Sequence, residues 1–285
     1  MDQSSILIIG ANGQLGKALQ AKYPQAKAGD IAELDITGAN SVKNYAWGDI
    51  KIVLNAAAYT SVDGAETAEG RVAAWKVNAQ AVANLAKAAI KHDLTLVHIS
   101  SDYIFDGTKS PHTEDEPVSP LGVYAQSKAA GDIALSITLK HYILRTSWLI
   151  GDGPNFVRTM VGLAQKNISP TVVSDQIGRL TFTDTLVNAI DHLLTTNAPY
   201  GIYNISNDGE PASWADITRE IFSILGRSNL QVANTTTKEY FASKPGIAPR
   251  PPQSTLDLTK IKSTGFNPPD WREDLSKYVK KEVLR

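Results

Sequence analysis

Tyr124 and Lys128 stand four residues apart in a run, Tyr124 to Leu139, whose pattern reads as a helix. Residues at i and i+4 share a helix face one turn apart, so a phenol and an ammonium can project into one site. A phenol titrates near pH ~10 in water, too high for easy proton exchange at neutrality. A lysine charge nearby favours phenolate and lowers that value, which makes Tyr124 a candidate general acid/base. The same Tyr-x-x-x-Lys spacing also arises on ordinary surface helices, so the pair needs support from the rest of the chain. Ser101, at the end of the strand-like stretch Leu94 to Ile99, adds some. From there a hydroxyl can donate to a carbonyl oxygen, although a serine can equally serve a turn.

The elements that must position these groups begin at the N-terminus. Ile6 to Ile9 is wholly apolar, as a strand buried on both faces of a parallel sheet would be. It runs into Gly10-Ala11-Asn12-Gly13-Gln14-Leu15-Gly16 and then a helical stretch to about Lys22. The spacing is G-x-x-G-x-x-G, and glycines there permit a tight turn and close backbone approach to a pyrophosphate at a helix N-terminus. Asp30 lies about 20 residues beyond Gly10, where an acid would meet the adenosine ribose and favour NAD, with Lys27 pulling the other way. Asp35-Ile36 follows, and Ser41 starts a helix. Ile50 to Leu54 reads as a strand ending in Asn55-Ala56-Ala57-Ala58-Tyr59. Small residues there suit a backbone passing close to a ligand, since open α/β sheets bind at the carboxyl ends of their strands. Arg71 to Lys91 reads as one alanine-rich helix containing Asn78. Glu114-Asp115-Glu116, among Gly107, Pro111, Pro117, Pro120 and Gly122, reads as a solvated charge run in an irregular loop. The alternation of strands and helices argues for an α/β fold, a Rossmann-type doubly wound parallel sheet.

At 285 residues the chain can form one large domain or two modest ones. Its net charge of -1 offers no basic field for nucleic acid or an anionic membrane. The absence of cysteine removes disulfide, thiolate-nucleophile and thiolate-metal chemistry. His92, His98, His112, His141 and His192 lack metal-binding spacings and read as structural. With no signal-like N-terminus and no apolar run near ~18 residues, the expected location is cytoplasmic.

Beyond Trp148 the alternation loosens. Asn155 to about Lys166 and Thr183 to Thr195 read as helices, Thr171 to Val173 and Ile202 to Ile205 as strands. Ser213 is placed as the N-cap of a further helix, with Asp216 three residues on, running to Leu225 before Gly226. The loop-rich stretch Lys244 to Asp270 is dense in proline and carries Arg250, whose guanidinium fork would suit a diphosphate or else an ordinary surface position. Residues 1–150 are expected to form the NAD(P)-binding domain, with later segments returning to it, and 151–285 a smaller α/β substrate-binding domain.

Taken together, the glycine turn, Asn55 to Ala58, the strand-end serine and Tyr124-x-x-x-Lys128 resemble the extended short-chain dehydrogenase/reductases. Within them the chain is most similar to the dTDP-4-dehydrorhamnose reductase family, over nearly its whole length. The segments that carry this are Leu54 to Asp63 with Ala65-Glu66, Ser100 to Gly107, Arg145 to Ile150, Asp175-Gln176-x-Gly178, and Arg250 to Ser254 with Leu256-Asp257. The resemblance implies reduction of the C4 ketone of a dTDP-linked 6-deoxyhexulose by NADPH or NADH. It assigns Ser101, Tyr124 and Lys128 as the catalytic trio, with Lys128 also on the nicotinamide ribose. It places Val62, Tyr103 and Trp148 against the sugar or diphosphate and Asn78 near the cofactor. Ala125 replaces a frequent glycine and Ser101 a frequent threonine. Arg179-Leu180-Thr181 replaces a small residue, proline and threonine in a loop expected to shape the substrate side. A monomer or homodimer, with or without a non-catalytic Mg2+ at a subunit contact, is compatible with the sequence. Two other readings share the scaffold. One is a non-catalytic NADP-binding partner like the β subunit of methionine adenosyltransferase. The other is a nucleotide-sugar epimerase or dehydratase, though a dehydratase needs a further acid where Tyr103 stands.

Overall fold

The computed structural model describes residues 1–244 and 246–283. Six strands form one parallel sheet: β1 (Ile6–Ile9), β2 (Lys27–Gly29), β3 (Ile52–Asn55), β4 (Thr95–Ser101), β5 (His141–Thr146) and β6 (Gly201–Ile205). Their spatial order is β2-β1-β3-β4-β5-β6. The chain leaves β1 toward one edge, then crosses to β3 and continues toward the other. That reversal opens a crevice at the carboxyl ends of β1 and β3, the place where open α/β sheets bind ligands.

All four residues of β1 are buried, as the apolar run requires. Successive side chains point to opposite faces, so the strand feeds two cores. Ile6 and Ile8 pack with Leu15 and Leu19 of helix α1 (Gln14–Lys22) and, farther along the chain, Leu186 and Ile190. Leu7 and Ile9 pack on the other side with Val42 of α2 (Ala39–Asn44). The same core takes Val82 and Leu85 from the long helical segment after β3. Each such side chain contributes roughly 1.5–3 kcal/mol when fully buried.

That long segment differs from the single helix read in the sequence. It comprises α3 (Ala68–Trp75), a π turn (Lys76–Gln80) and α4 (Ala81–His92). Thr67 caps it by accepting from the Gly70 amide, which moves the start ahead of Arg71. The helix bearing Tyr124 and Lys128, α5 (Val123–Leu135), stops short of Leu139. Ser136 Oγ takes the Ile133 carbonyl, and the chain turns to enter β5, leaving Leu139 90% exposed. The acidic run is also corrected. Glu114 is buried and accepts from the Asn204 amide at 2.9 Å, while Glu116 meets the fully buried His112 at 2.9 Å. Asp115 alone of the three is exposed.

After β5 the chain builds α6 (Phe156–Gln165) and α7 (Thr183–Thr195), and later α8 (Trp214–Ile224) and a last helix, Trp271–Val283. α7 and β6 return to the sheet, with Leu186 and Ile205 in its core. Val157, Leu180, Phe182, Ile221, Trp271 and Leu275 form a separate core beside it. Ser213 caps α8 in a reciprocal capping box with Asp216, and Gly226 follows at φ +65°, both as the sequence reads. Between 244 and 270 the described chain is irregular apart from a short helix, Thr259–Ser263; Pro245 lies outside the described residues. Among the described residues no helix is long and apolar enough to cross a membrane.

Candidate active site

The turn after β1 has no room for side chains. Gly10 sits at φ +78°, and a Cβ there would lie 2.6 Å from the Ala57 nitrogen. A Cβ on Gly16 would lie 2.1 Å from the Gly10 carbonyl oxygen. Glycine at both lets the turn close onto β3 and α1 start directly beneath it. Gly13 caps α1 without a side chain, so the first amides of the helix stay free for an anion.

Two cavities flank this turn and share Gly13, Ala56 and Ala58. The smaller, about 340 Å³, is lined by Gly10, Asp30, Asp35, Ile36 and Ala57, together with Thr37 and others, none of them basic. Asp30 is held by the Asn12 amide at 3.2 Å, and Asp35 binds the Thr37 hydroxyl and amide. The larger, about 690 Å³, runs from Asn12, Gln14 and Leu15 to Val62, Ser101, Tyr103, Tyr124, Lys128 and Trp148. The two adjoin at the turn, and the glycine cradle between them fits a pyrophosphate.

Helix α5 is fixed at several points. Its first amide, Val123, donates to Glu66 at 2.8 Å, so a carboxylate sits where the helix dipole favours one. Asn78, inside the π turn, donates to Ser127 Oγ at 3.0 Å and grips both the amide and carbonyl of Tyr59. Gly131 allows the Asn78 carbonyl to press in, since a Cβ there would lie 2.2 Å from that oxygen. Asn78 is 1% exposed and lines neither cavity, nor does Tyr59. Both brace the site through these bonds, beside the groove expected to hold the cofactor.

Ser101, at the end of β4, accepts from the Tyr103 amide at 3.1 Å and donates to Asp102 Oδ1 at 3.1 Å. Burial pushes Asp102 up to about 6, with hydrogen bonds from Ser254 and Ser101 opposing. The Tyr124 hydroxyl faces this group, and the Tyr103 ring meets its ring edge-on at 6.0 Å. Burial pushes Tyr124 up to about 12, against a lowering hydrogen bond with Ser101. The expected drop from Lys128 is not what the protein alone shows. Lys128 itself is 2% exposed, its Nζ donating to the Ile99 carbonyl at 2.5 Å and meeting His98 Nε2 at 3.3 Å. Burial draws it down to about 8, opposed by Asp132.

Trp148 forms the far wall. Its backbone is left-handed, φ +47°, a costly state for a bulky residue that marks a constrained site. Its ring stacks on Trp214 at 3.7 Å between centroids. Trp214, Thr146, Ser147 and the stretch Asp152 to Pro154 line the cavity and were not singled out by sequence. The strand-end position of Thr146 and Ser147 could have pointed to them. Two residues expected on the substrate side do not line the cavities themselves. Arg250 binds Asp63 at 2.7 Å and the Ala248 carbonyl at 2.9 Å, and lines neither cavity. Arg179 is buried, its guanidinium on the Leu256 carbonyl and Asp208, and its own carbonyl accepts from the cavity-lining Ser147. Among the described residues no cluster of three or more His, Cys, Asp or Glu side chains could hold a metal ion.

A tyrosine hydroxyl beside a strand-end serine, with a buried lysine one turn on, can deliver a proton to a carbonyl oxygen while a dinucleotide lies along the sheet edge. Chemistry and fold together are those of the extended short-chain dehydrogenase/reductases. The RmlD substrate-binding domain family matches residues 4–284. A dTDP-4-dehydrorhamnose reductase of Aggregatibacter actinomycetemcomitans is 39% identical over 95% of this chain and 96% of its own. The crystal structure of a Clostridium acetobutylicum dTDP-4-dehydrorhamnose reductase superposes with a TM-score of 0.89 at 35% identity, covering 98% of this chain and 99% of that one. That of Bacillus anthracis, in complex with NADP, gives 0.86 at 34% identity, covering 97% and 98%. The chain belongs to the dTDP-4-dehydrorhamnose reductase family.

Proposed function

We propose that this protein reduces the C4 ketone of dTDP-4-dehydro-L-rhamnose to dTDP-L-rhamnose. The observation that carries the reading is the convergence of Ser101, Tyr124 and Lys128 in one cavity, continuous at Gly13 and Ala56 with the glycine cradle. A nicotinamide cofactor bound along that groove supplies the hydride. Ser101 holds the ketone oxygen, and Tyr124 gives its hydroxyl proton to that oxygen as negative charge develops on it. Tyr124 then takes a proton back from solvent. A phenol at about 12 keeps its proton at neutral pH, which suits the acid role. Lys128 stays cationic below about pH 8 and helps a phenolate form in the transition state.

Asp30 and Asp35, with no basic side chain lining the adenosine-side cavity, support NADH over NADPH, because a 2′-phosphate would meet carboxylates. Val62, Tyr103 and the Trp148–Trp214 pair suit the sugar and nucleotide end. The part built on the third core is the substrate-binding region in this reading, and Arg250 reaches the diphosphate only by leaving Asp63. The protein acts as a cytoplasmic enzyme on a dTDP-sugar, with no nucleic-acid or membrane partner.

The test is oxidation of NADH and of NADPH, followed by nicotinamide absorbance, with dTDP-4-keto-6-deoxyglucose and a 3,5-epimerase. Oxidation that needs both sugar and epimerase, yields dTDP-rhamnose and runs faster with NADH is expected. Cofactor binding without turnover would turn the reading toward a non-catalytic partner.

A further inference from the structure

Strand register sets Asn55 of β3 directly beside His98 of β4, both buried beneath the site. We propose that Asn55 and His98 act as a positioning pair that holds an imidazole N–H against Lys128 Nζ and thereby sets the pH range in which Lys128 is charged. The proposal rests on the reading of Lys128 as the residue supporting Tyr124.

The argument is one of donors and acceptors. Asn55 Oδ1 accepts from the Ala57 amide at 3.2 Å, which spends the oxygen of that side chain. Its Nδ2, a donor, then faces His98 Nδ1 at 3.0 Å. Nδ1 must therefore be the bare nitrogen, and a neutral imidazole so arranged carries its hydrogen on Nε2. Nε2 lies 3.3 Å from Lys128 Nζ. An ammonium has three donors and no acceptor, whereas an amine has a lone pair. The His98 N–H is thus satisfied by the amine and opposed to the ammonium. Protonating His98 would set donors against donors at both nitrogens, and burial together with the Lys128 charge holds it well below its ordinary range.

Other groups push the opposite way. The Ile99 carbonyl accepts from Nζ, and Asp132 on α5 attracts the charge. Asp132 is itself shared with Ser100 Oγ at 2.8 Å and Arg145 Nε at 3.5 Å, which limits its pull. Tyr124 lies one turn away on the same helix, with Asp102 beyond it. Neither Asn55 nor His98 lines the cavities; Asn55 bears on one of them through the Ala57 amide, a bond that Asn55→Asp keeps.

The test uses protein labelled with 15N-histidine, with the His98 signals identified by their loss in His98→Gln. In the unsubstituted protein His98 should show the Nε2–H tautomer and stay neutral through the pH range of stability. Asn55→Asp keeps one oxygen for the Ala57 amide and offers the other to His98. It should reverse the tautomer and turn the Nε2 lone pair toward Lys128. The second arm is cofactor titration against pH without sugar, so it does not depend on the identity of the substrate. Its alkaline loss of NADH binding should move up by about one pH unit in Asn55→Asp, as expected when one charge-facing hydrogen bond is gained. His98→Gln, which adds no charge and can turn its oxygen to Nζ, should move it the same way. An Nδ1–H tautomer in the unsubstituted protein overturns the proposal. So does an alkaline limb unmoved in folded His98→Gln. Should Asn55→Asp fail to fold, the tautomer of the unsubstituted protein still decides.

Discussion

Tyr124 and Asp102 face one another across Ser101, and burial acts on both in the same direction. Each is held in its neutral form beyond its ordinary range, at about 12 and about 6. Tyr124→Phe removes the proton and leaves the pocket, so turnover should fall by roughly 10²–10⁴-fold while NADH titration is unchanged. Turnover near the parent's would remove Tyr124 from its role. For Asp102 the consequence is one of stability. A carboxyl whose folded value lies above its unfolded one supports the fold fully below about pH 4 and loses that support as pH rises through about 6. Asp102→Asn should therefore raise the unfolding free energy at pH 7 by about 1–3 kcal/mol, with the gain vanishing below about pH 4. Denaturant titrations at the two pH values check it; an equal effect at both would mean that charge is not the cause. The residue types and spacing of the trio could be read from sequence. The direction of the Tyr124 shift could not, because it follows from how deeply the hydroxyl is enclosed.

At the scale of elements, strand-helix alternation was visible because buried strands and capped helices leave short-range signatures. The four-residue run of β1, the glycine turn and the Ser213–Asp216 capping box are examples. The π turn at Lys76–Gln80 left none: its alanine-rich surroundings read as unbroken helix. What it does is push the Asn78 carbonyl against Gly131 of α5. In an unconstrained helix interior, alanine is favoured over glycine by roughly 1 kcal/mol. Gly131→Ala should do the reverse here. Overpacking against backbone should lower stability by about 1–3 kcal/mol and reduce activity by shifting Tyr124. A higher thermal midpoint in that variant would show the π turn to be free to move. The Glu114 to Glu116 run misled for a related reason: nothing local reveals that the Asn204 amide and His112 will meet two of its carboxylates.

Across the whole molecule, distant segments meet at the mouth of the cleft. Asp63, following β3, binds Arg250 and the Ala248 amide, tying the proline-rich segment to the substrate side. Cutting that tie with Arg250→Ala should raise the KM for the sugar nucleotide about tenfold, some 1.4 kcal/mol, and leave the NADH dissociation constant in place. Equal losses for both ligands would mean general disorder of the cleft. The sequence by itself determined the alternation of the sheet, the glycine turn, and the residue types and spacing of the proposed catalytic trio. Each of these depends on contacts within a few residues or on the chemistry of single side chains. Only the tertiary structure decided that Asn78 grips Tyr59, that Arg250 is held by Asp63, that Trp214 stacks on Trp148, and that His98 faces Lys128. Those partners are far apart along the chain, and strand register and helix packing alone bring them within a few ångströms.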